Sequence, residues 1–291
     1  MTFSFAPIPM TAPRPPVERP RTIRLLVLDI DGTIAGESNT IREPVLAAIR
    51  AAQATGVQVA IATGRMFCSA LRFHQAVGSQ LPLIAYQGAL IKDPQTQVVH
   101  RHWPIDRAMT ARILDDLEQS QWRSALSIHF YLDDRLHVRD LSPVTQLYLE
   151  RSDIEPVVVG DLRRLLPEEP TKILALSDDP DLIADLMAHL RQRYSPAELY
   201  LTRSVATFFE ATHPAVNKGT AVRYLAEELL GIPASEVMAI GDNFNDVEML
   251  QYAGFSVAMG NAPPEVQAMA DWVAPGVEAD GVAAAIAEFL L

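Results

Sequence analysis

The sequence predicts an α/β fold: a parallel-sheet core, discontinuous along the chain, with an α+β module inserted into it. Three observations carry this: apolar runs that end in polar, Gly-containing turns and lead into helical spacing, a break in that rhythm after Gly88, and its return after Asn217.

The first run, Leu25-Leu26-Val27-Leu28, closes in Asp29-Ile30-Asp31-Gly32, the pattern of a strand buried on both faces and ended by a turn. Val45, Leu46 and Ile49 then recur at helical spacing behind Pro44, which suits a first helical turn, and Gly56 supplies the stop. A second strand over 57–62 ends in Thr63-Gly64-Arg65, a helical pattern follows over 66–77, and a third strand spans 83–86. Parallel strands joined by right-handed crossovers collect ligands at their carboxyl ends.

Beyond Gly88, residues 98–103 and 127–138 read as antiparallel strands or hairpins, with Asp133-Asp134 at a turn. They are interleaved with helical patterns over 105–119 and 181–193 and with strand-like 172–176 and 198–202. After Asn217 come a helix through Leu230, a strand over 237–240, the turn Gly241-Asp242-Asn243, a short helix, a strand over 255–259 and a final helix to Leu291. The expected organisation is a Pro-rich tail over 1–22, core over 23–87, the inserted module over 88–205 and core again over 206–291. The tail, with Pro7, Pro9, Pro13, Pro15, Pro16 and Pro20, reads as extended and disordered.

A chain of 291 residues with 49% hydrophobic content can bury a large core. Its net charge of −12 repels nucleic acid and anionic lipid, and no apolar run approaches the roughly 20 residues that span a bilayer. The expectation is a soluble protein, monomer or homodimer, whose partner is a small molecule and neither nucleic acid nor membrane. Its single cysteine, Cys68, excludes an internal disulfide and a thiolate metal site, and points to a reducing, cytoplasmic compartment. A place on an amphipathic helix beside Phe67 and Leu71 predicts that Cys68 packs in the core rather than acting as a nucleophile.

Asp29 and Asp31 stand two apart at a buried strand end, where their repulsion must be relieved by a cation or a proton. Asp242 and Asp246 occupy another strand end, and carboxylates beside amides suit a hard divalent cation of the magnesium type. Thr63, at the second strand end, and Lys218, opening a helix, supply a hydroxyl and a mobile cation, the complement needed for a phosphate beside that metal.

Asp29-Ile30-Asp31-Gly32-Thr33, Thr63-Gly64-Arg65, Lys218 and Gly241-Asp242-Asn243-Phe244-Asn245-Asp246 match, in order, the four motifs of the haloacid dehalogenase superfamily. The chain resembles its Cof-type phosphatases, which insert a C2-type cap between the second and third motifs of a Rossmann-like core. The resemblance implies a magnesium-dependent phosphatase of small phosphorylated metabolites. Asp29 would be the nucleophile that becomes phospho-aspartate, and Asp31 the acid that protonates the leaving oxygen and then activates water. Mg2+ would be held by Asp29, by Asp31 through its backbone carbonyl, and by Asp242, with Asp246 orienting its surroundings.

Around these, Lys218, Thr63 and Gly64 would meet the phosphate. Arg65 either reaches substrate or forms a surface ion pair. Asn245 contacts phosphate or Lys218, or serves the turn, and Asn217 carries the same two readings. Gln87 stands where similar chains carry Asn, which puts the core-to-cap contact of that position in doubt. Candidate cap contacts to substrate are His129, Tyr131, His213 and Arg203, and Glu210 either faces substrate or stabilises a hinge. Competing readings are a phosphomutase, which would retain its phosphorylated product, and a non-catalytic sugar-phosphate sensor, against which the intact Asp29 and Asp31 argue.

Overall fold

The computed structural model describes residues 22–291; the expectation for the Pro-rich tail lies outside the described residues. The core begins with β1 (Leu25–Leu28), α1 (Glu43–Ala54), β2 (Gln58–Ile61), α2 (Phe67–Val77) and β3 (Leu83–Ala85). Then come β4 (Leu90–Lys92), β5 (Val99–His102), α3 (Arg107–Leu117), β6 (Ser127–Leu132), β7 (Arg135–Val138), α4 (Pro143–Ser152), β8 (Pro156–Val158), β9 (Lys172–Leu176), α5 (Pro180–Arg193), β10 (Tyr200–Thr202) and β11 (Phe208–Thr212). The chain closes with α6 (Lys218–Arg223), β12 (Val237–Gly241), α7 (Val247–Tyr252), β13 (Phe255–Ala258), α8 (Pro264–Gln267), β14 (Trp272–Val273) and α9 (Gly281–Phe289).

A parallel sheet in the order β14-β13-β12-β1-β2 forms the centre of the core. Side chains of β1 alternate between its faces. Leu26 and Leu28 pack with Ile49, Phe73 and Ile286 on one side, whereas Leu25 and Val27 pack with Val222 and Met249 on the other. Burial on both faces explains why β1 is apolar at every position. Its neighbours β2 and β12 come from opposite ends of the chain, so the strand order reverses at β1, and the crevice above that switch point is where ligands collect.

A second sheet, ordered β10-β11-β9-β6-β7-β8, is antiparallel except for the β7–β8 pair. Ile128, Phe130, Ile173 and Phe209 bury one face against Ile113 of α3 and Leu186 of α5. The alternate residues, Tyr131, Leu174 and Leu176, join the cluster that holds Phe67 and Tyr86 of the core. Helix α4 lies on this second face; it starts at Ser142, whose hydroxyl accepts from the Thr145 N–H, with Pro143 at the first turn.

Three strands fall on the other side of the expected module limits. β4 pairs with β3 and β5 with β4 in a three-stranded sheet separate from the six-stranded one, and β11 pairs with β9 and β10, so the six-stranded sheet extends beyond residue 205. Apolar periodicity marks strands without naming their partners, and the boundaries 88 and 205 rested on periodicity. The helix expected to run through Leu230 is α6 followed by a π-helical turn over Tyr224–Leu229. Cys68 is exposed rather than packed in the core, because the first turn of α2 turns that position outward.

Helix α2 lacks a cap from its own N-terminal residue. Instead Asp134, in the β6–β7 turn, accepts from the N–H groups of Phe67 and Cys68 at 3.0 and 2.8 Å and from the Tyr86 hydroxyl at 2.7 Å. One carboxylate thus ties the inserted sheet to a core helix terminus, where negative charge is favoured. Asp134→Ala is expected to lower unfolding stability by about 2 kcal/mol, measured by urea titration, with Asp134→Asn recovering part of it; an unchanged midpoint would remove this role.

His129, buried between β6 and α4, shares a hydrogen bond with the Thr145 hydroxyl at 2.9 Å. Burial first, and the charge of Lys172 second, push its imidazole down to about 3. Below roughly 6.5 the unfolded chain takes up a proton there that the folded chain refuses, so stability falls as pH falls between those values. At pH 5 this residue is expected to cost roughly 2 kcal/mol relative to pH 7, and His129→Gln to flatten that part of the pH dependence in paired urea titrations.

Candidate active site

Asp29 follows β1 and is buried, its backbone N–H donating to the Ile240 carbonyl of β12 at 3.1 Å. Its Oδ1 accepts from Lys218 Nζ at 2.6 Å, and the same ammonium donates to Asp246 Oδ1 at 2.5 Å. Lys218, at the first position of α6, is fully buried. Desolvation works against its charge, but Asp246 and Asp29 outweigh it and its pKa rises. The other Asp246 oxygen accepts the N–H groups of Asp242 and Asn243 at 2.9 and 3.0 Å. Asp242 receives the Thr33 hydroxyl and the Asn261 amide, each at 3.3 Å.

Asp29, Asp242 and Asp246 each offer an oxygen to one spot, these atoms lying within 4.8 Å of one another. Three carboxylates face one ammonium, and the imbalance shows in their proton affinities. Burial, then Asp246, lifts Asp29 to about 7 against the pull of Lys218, and burial with Asp246 and Asp29 lifts Asp242 to about 9. An all-oxygen donor set with surplus negative charge fits a hard divalent cation. Gly32, at φ +78°, brings its backbone so close that an added Cβ would lie 2.1 Å from Asp242 Oδ2.

The Asp31 side chain stands apart from this cluster. Its carboxylate is gripped by Arg65, with Nε to Oδ2 and Nη2 to Oδ1 both 2.7 Å, and by Arg151 Nη2 of α4 at 3.1 Å. Burial opposes the charge, but the two guanidinium groups prevail and hold Asp31 below the usual carboxylate range. Arg65 is largely buried, so its pair with Asp31 is not a surface one.

Thr63 is buried, and its hydroxyl oxygen accepts the Arg65 N–H at 3.1 Å, which leaves the hydroxyl hydrogen free to donate. Gln87, at φ +61°, receives the Asn245 amide at 3.2 Å and donates to Glu210 Oε2 of β11 at 3.4 Å. The longer amide therefore does bridge core and inserted sheet. Lys172, opening β9, adds a second bridge: Nζ donates to the Gly64 carbonyl at 2.9 Å and pairs with Glu210 at 3.0 Å. Gly64 leaves room for this contact, since a Cβ there would lie 2.4 Å from Gln87 Nε2 and force that side chain to shift. Asn217 caps α6, accepting from the Thr220 N–H at 2.7 Å.

A cavity of about 550 Å³ opens between the core rim and the inserted sheet, lined among others by Asp29, Asp31, Thr63, Arg65, Asp242 and Asn245. Glu210 lines it too. His129, Tyr131, His213 and Arg203 do not: His129 bonds Thr145, Tyr131 donates to the Tyr148 hydroxyl, and His213 packs on Trp103. Sequence reasoning missed Arg151, Lys172 and Asn261. Lys172 alone left a trace, as a cation opening an otherwise apolar strand.

A family model described as haloacid dehalogenase-like hydrolase matches residues 26–286. YxeH of Bacillus subtilis (strain 168), named as a phosphatase, is 32% identical over 287 residues, covering 92% of this chain and 98% of that protein. The 5-amino-6-(5-phospho-D-ribitylamino)uracil phosphatase YitU of the same organism is 29% identical over 271 residues, covering 91% and 97%. TM0651 from Thermotoga maritima, a crystal structure, superposes with a TM-score of 0.76 at 26% identity, covering 92% of this chain and 97% of that one.

Gly32→Ala combines a left-handed backbone with displacement of the Asp242 carboxylate. It is expected to lower stability by roughly 1–3 kcal/mol and to shrink the rise in melting temperature caused by millimolar magnesium; an undiminished rise would show that Asp242 takes no part in cation binding.

Proposed function

The chain belongs to the haloacid dehalogenase-like hydrolase family and is a phosphoric monoester hydrolase, and from that premise we propose that it dephosphorylates a small metabolite through a covalent phospho-aspartate at Asp29. The class comprises sugar phosphates, nucleotides and cofactor phosphates. One observation carries the proposal: Asp29 and Asp31 line the same cavity but are held by different partners, one by the buried ammonium and acid cluster, the other by arginines.

Different surroundings divide the chemistry between two carboxylates. An Asp29 oxygen bonds to phosphorus as the ester P–O bond breaks, and Lys218 fixes the direction of that carboxylate. Asp31 gives a proton to the leaving oxygen, then takes one from water as the water oxygen attacks phosphorus and the Asp29–phosphorus bond breaks, releasing inorganic phosphate. Thr63 and Asn245 donate to the phosphoryl oxygens. Mg2+, held by Asp29, the Asp31 backbone carbonyl, Asp242 and Asp246, would supply positive charge around the phosphoryl group and keep Asp29 ionised.

For Asp31 to carry a proton, its arginines must loosen. Arg151 is half exposed, and the anionic phosphoryl group competes for it as substrate enters. We assign the segment bearing the six-stranded sheet the role of a cap that shuts out water, fastened by the Lys172–Gly64 and Gln87–Glu210 bonds. A cavity of about 550 Å³ favours small esters over phosphoproteins.

Asp29→Asn is expected to reduce magnesium-dependent phosphate release from a panel of phosphorylated metabolites by about a thousandfold or more, and EDTA to do the same to the unaltered protein. Equal release by both proteins would refute the nucleophile.

A further inference from the structure

We propose that the leaving group of the substrate carries a flat, apolar or aromatic body rather than a polyol. The inference rests on the phosphatase reading above and concerns the half of the cavity remote from Asp29. There the wall is built from Val144, Leu147 and Tyr148 of α4, Leu176 of β9, Phe208 of β11 and the neighbouring Val205. Val144, Leu147 and Tyr148 fall on one helix face by their three- and four-residue spacing. Phe208 and Leu176 sit opposite each other in the β11–β9 ladder. Tyr148 and Phe208 meet edge to face with ring centroids 5.8 Å apart, forming an aromatic corner.

Several polar groups on this side are already engaged, and Asp178 and Thr207, which also line the cavity, sit just past the end of β9 and just before β11 rather than in the apolar wall. The Ser204 hydroxyl donates to Glu210 and its carbonyl accepts from Asn243; Lys172 and Glu210 pair with each other; the Ser177 hydroxyl accepts from the Asp179 N–H. Tyr148 is bonded by Tyr131. A polyol shut in here would exchange water for an apolar wall, losing roughly fivefold or more in affinity for each unmatched hydroxyl.

Leu147 and Val205, 66% and 49% exposed, are large apolar side chains at the cavity that nothing among the described residues covers. A ring inserted between α4 and the sheet would cover them while its phosphate stays at the acid cluster. The wall is continuous with the rim that holds the reacting carboxylates, which makes the occupant the substrate itself rather than a second ligand.

The test compares kcat/KM, with magnesium present, for 2-phenylethyl phosphate, glycerol 3-phosphate and glucose 6-phosphate, all esters of primary alcohols in which the same bond breaks. The phenylethyl ester is expected to lead by about tenfold or more. Leu147→Gln, at an exposed position, and Phe208→Ser are each expected to cut that lead about fivefold, mainly by raising KM for the phenylethyl ester. A lead for either polyol ester, or a ratio unmoved in both variants, would overturn this inference while leaving the phosphatase reading standing. Absence of phosphate release from all three esters and from acetyl phosphate, which is too small to reach the apolar wall, would bring down the reading beneath it.

Discussion

Carboxylates outnumbering ammonium groups at one buried strand end are the constraint from which the rest of the molecule follows. Asp29, Asp242 and Asp246 are buried around one ammonium, that of Lys218, at the floor of the cavity. Such a cluster is costly as mere structure, because desolvation and mutual repulsion both disfavour the charged forms. It persists because every element around it is fixed by packing: β1 and β12 are apolar at each position, and α6 is capped by Asn217 so that Lys218 begins it inside the core. Tight backbone at Gly32 then leaves the Asp242 carboxylate its space.

A second layer of interactions places this charge cluster at the floor of a cavity. The inserted sheet meets the core through ion pairs and amides as well as through the apolar contacts of Tyr131, Leu174 and Leu176. Arg151 reaches Asp31, Lys172 reaches Gly64, Gln87 spans Asn245 and Glu210, and Asp134 caps α2. Bonds of this kind exchange readily for bonds to an anionic ligand, whereas an apolar interface would have to be pulled apart into water. The polar seam and the apolar far wall therefore divide the cavity into an end that recognises phosphate and an end that recognises whatever carries it.

Much of this was legible beforehand. The strand ends at Asp29, Thr63 and Asp242 followed from apolar runs closed by turns, and the break after Gly88 announced a separate module. Helix α4 was not foreseen, since its exposed face carries Leu147 and its apolar residues blur the usual two-sided pattern. The module limits shifted for a related reason: β4, β5 and β11 look alike as local sequence, and only their ladder partners assign them to one sheet or the other. His129 and Tyr131, proposed as substrate contacts, turned out to lie under α4, which covers the β6 part of the sheet's second face and leaves only the β9 and β11 part open to the cavity.

By itself the sequence determined which chemical groups are present and at which strand ends they sit, because period-two and period-3.6 patterns and turn residues are local properties of the chain. The tertiary structure alone decided which partner each charge has. Asp31 meets Arg151 across 120 residues and Lys172 meets Gly64 across 108. Neither pairing has a local signature, since it arises where two independently packed sheets come to rest against each other, and it is those pairings that set the proton affinities and shape the cavity.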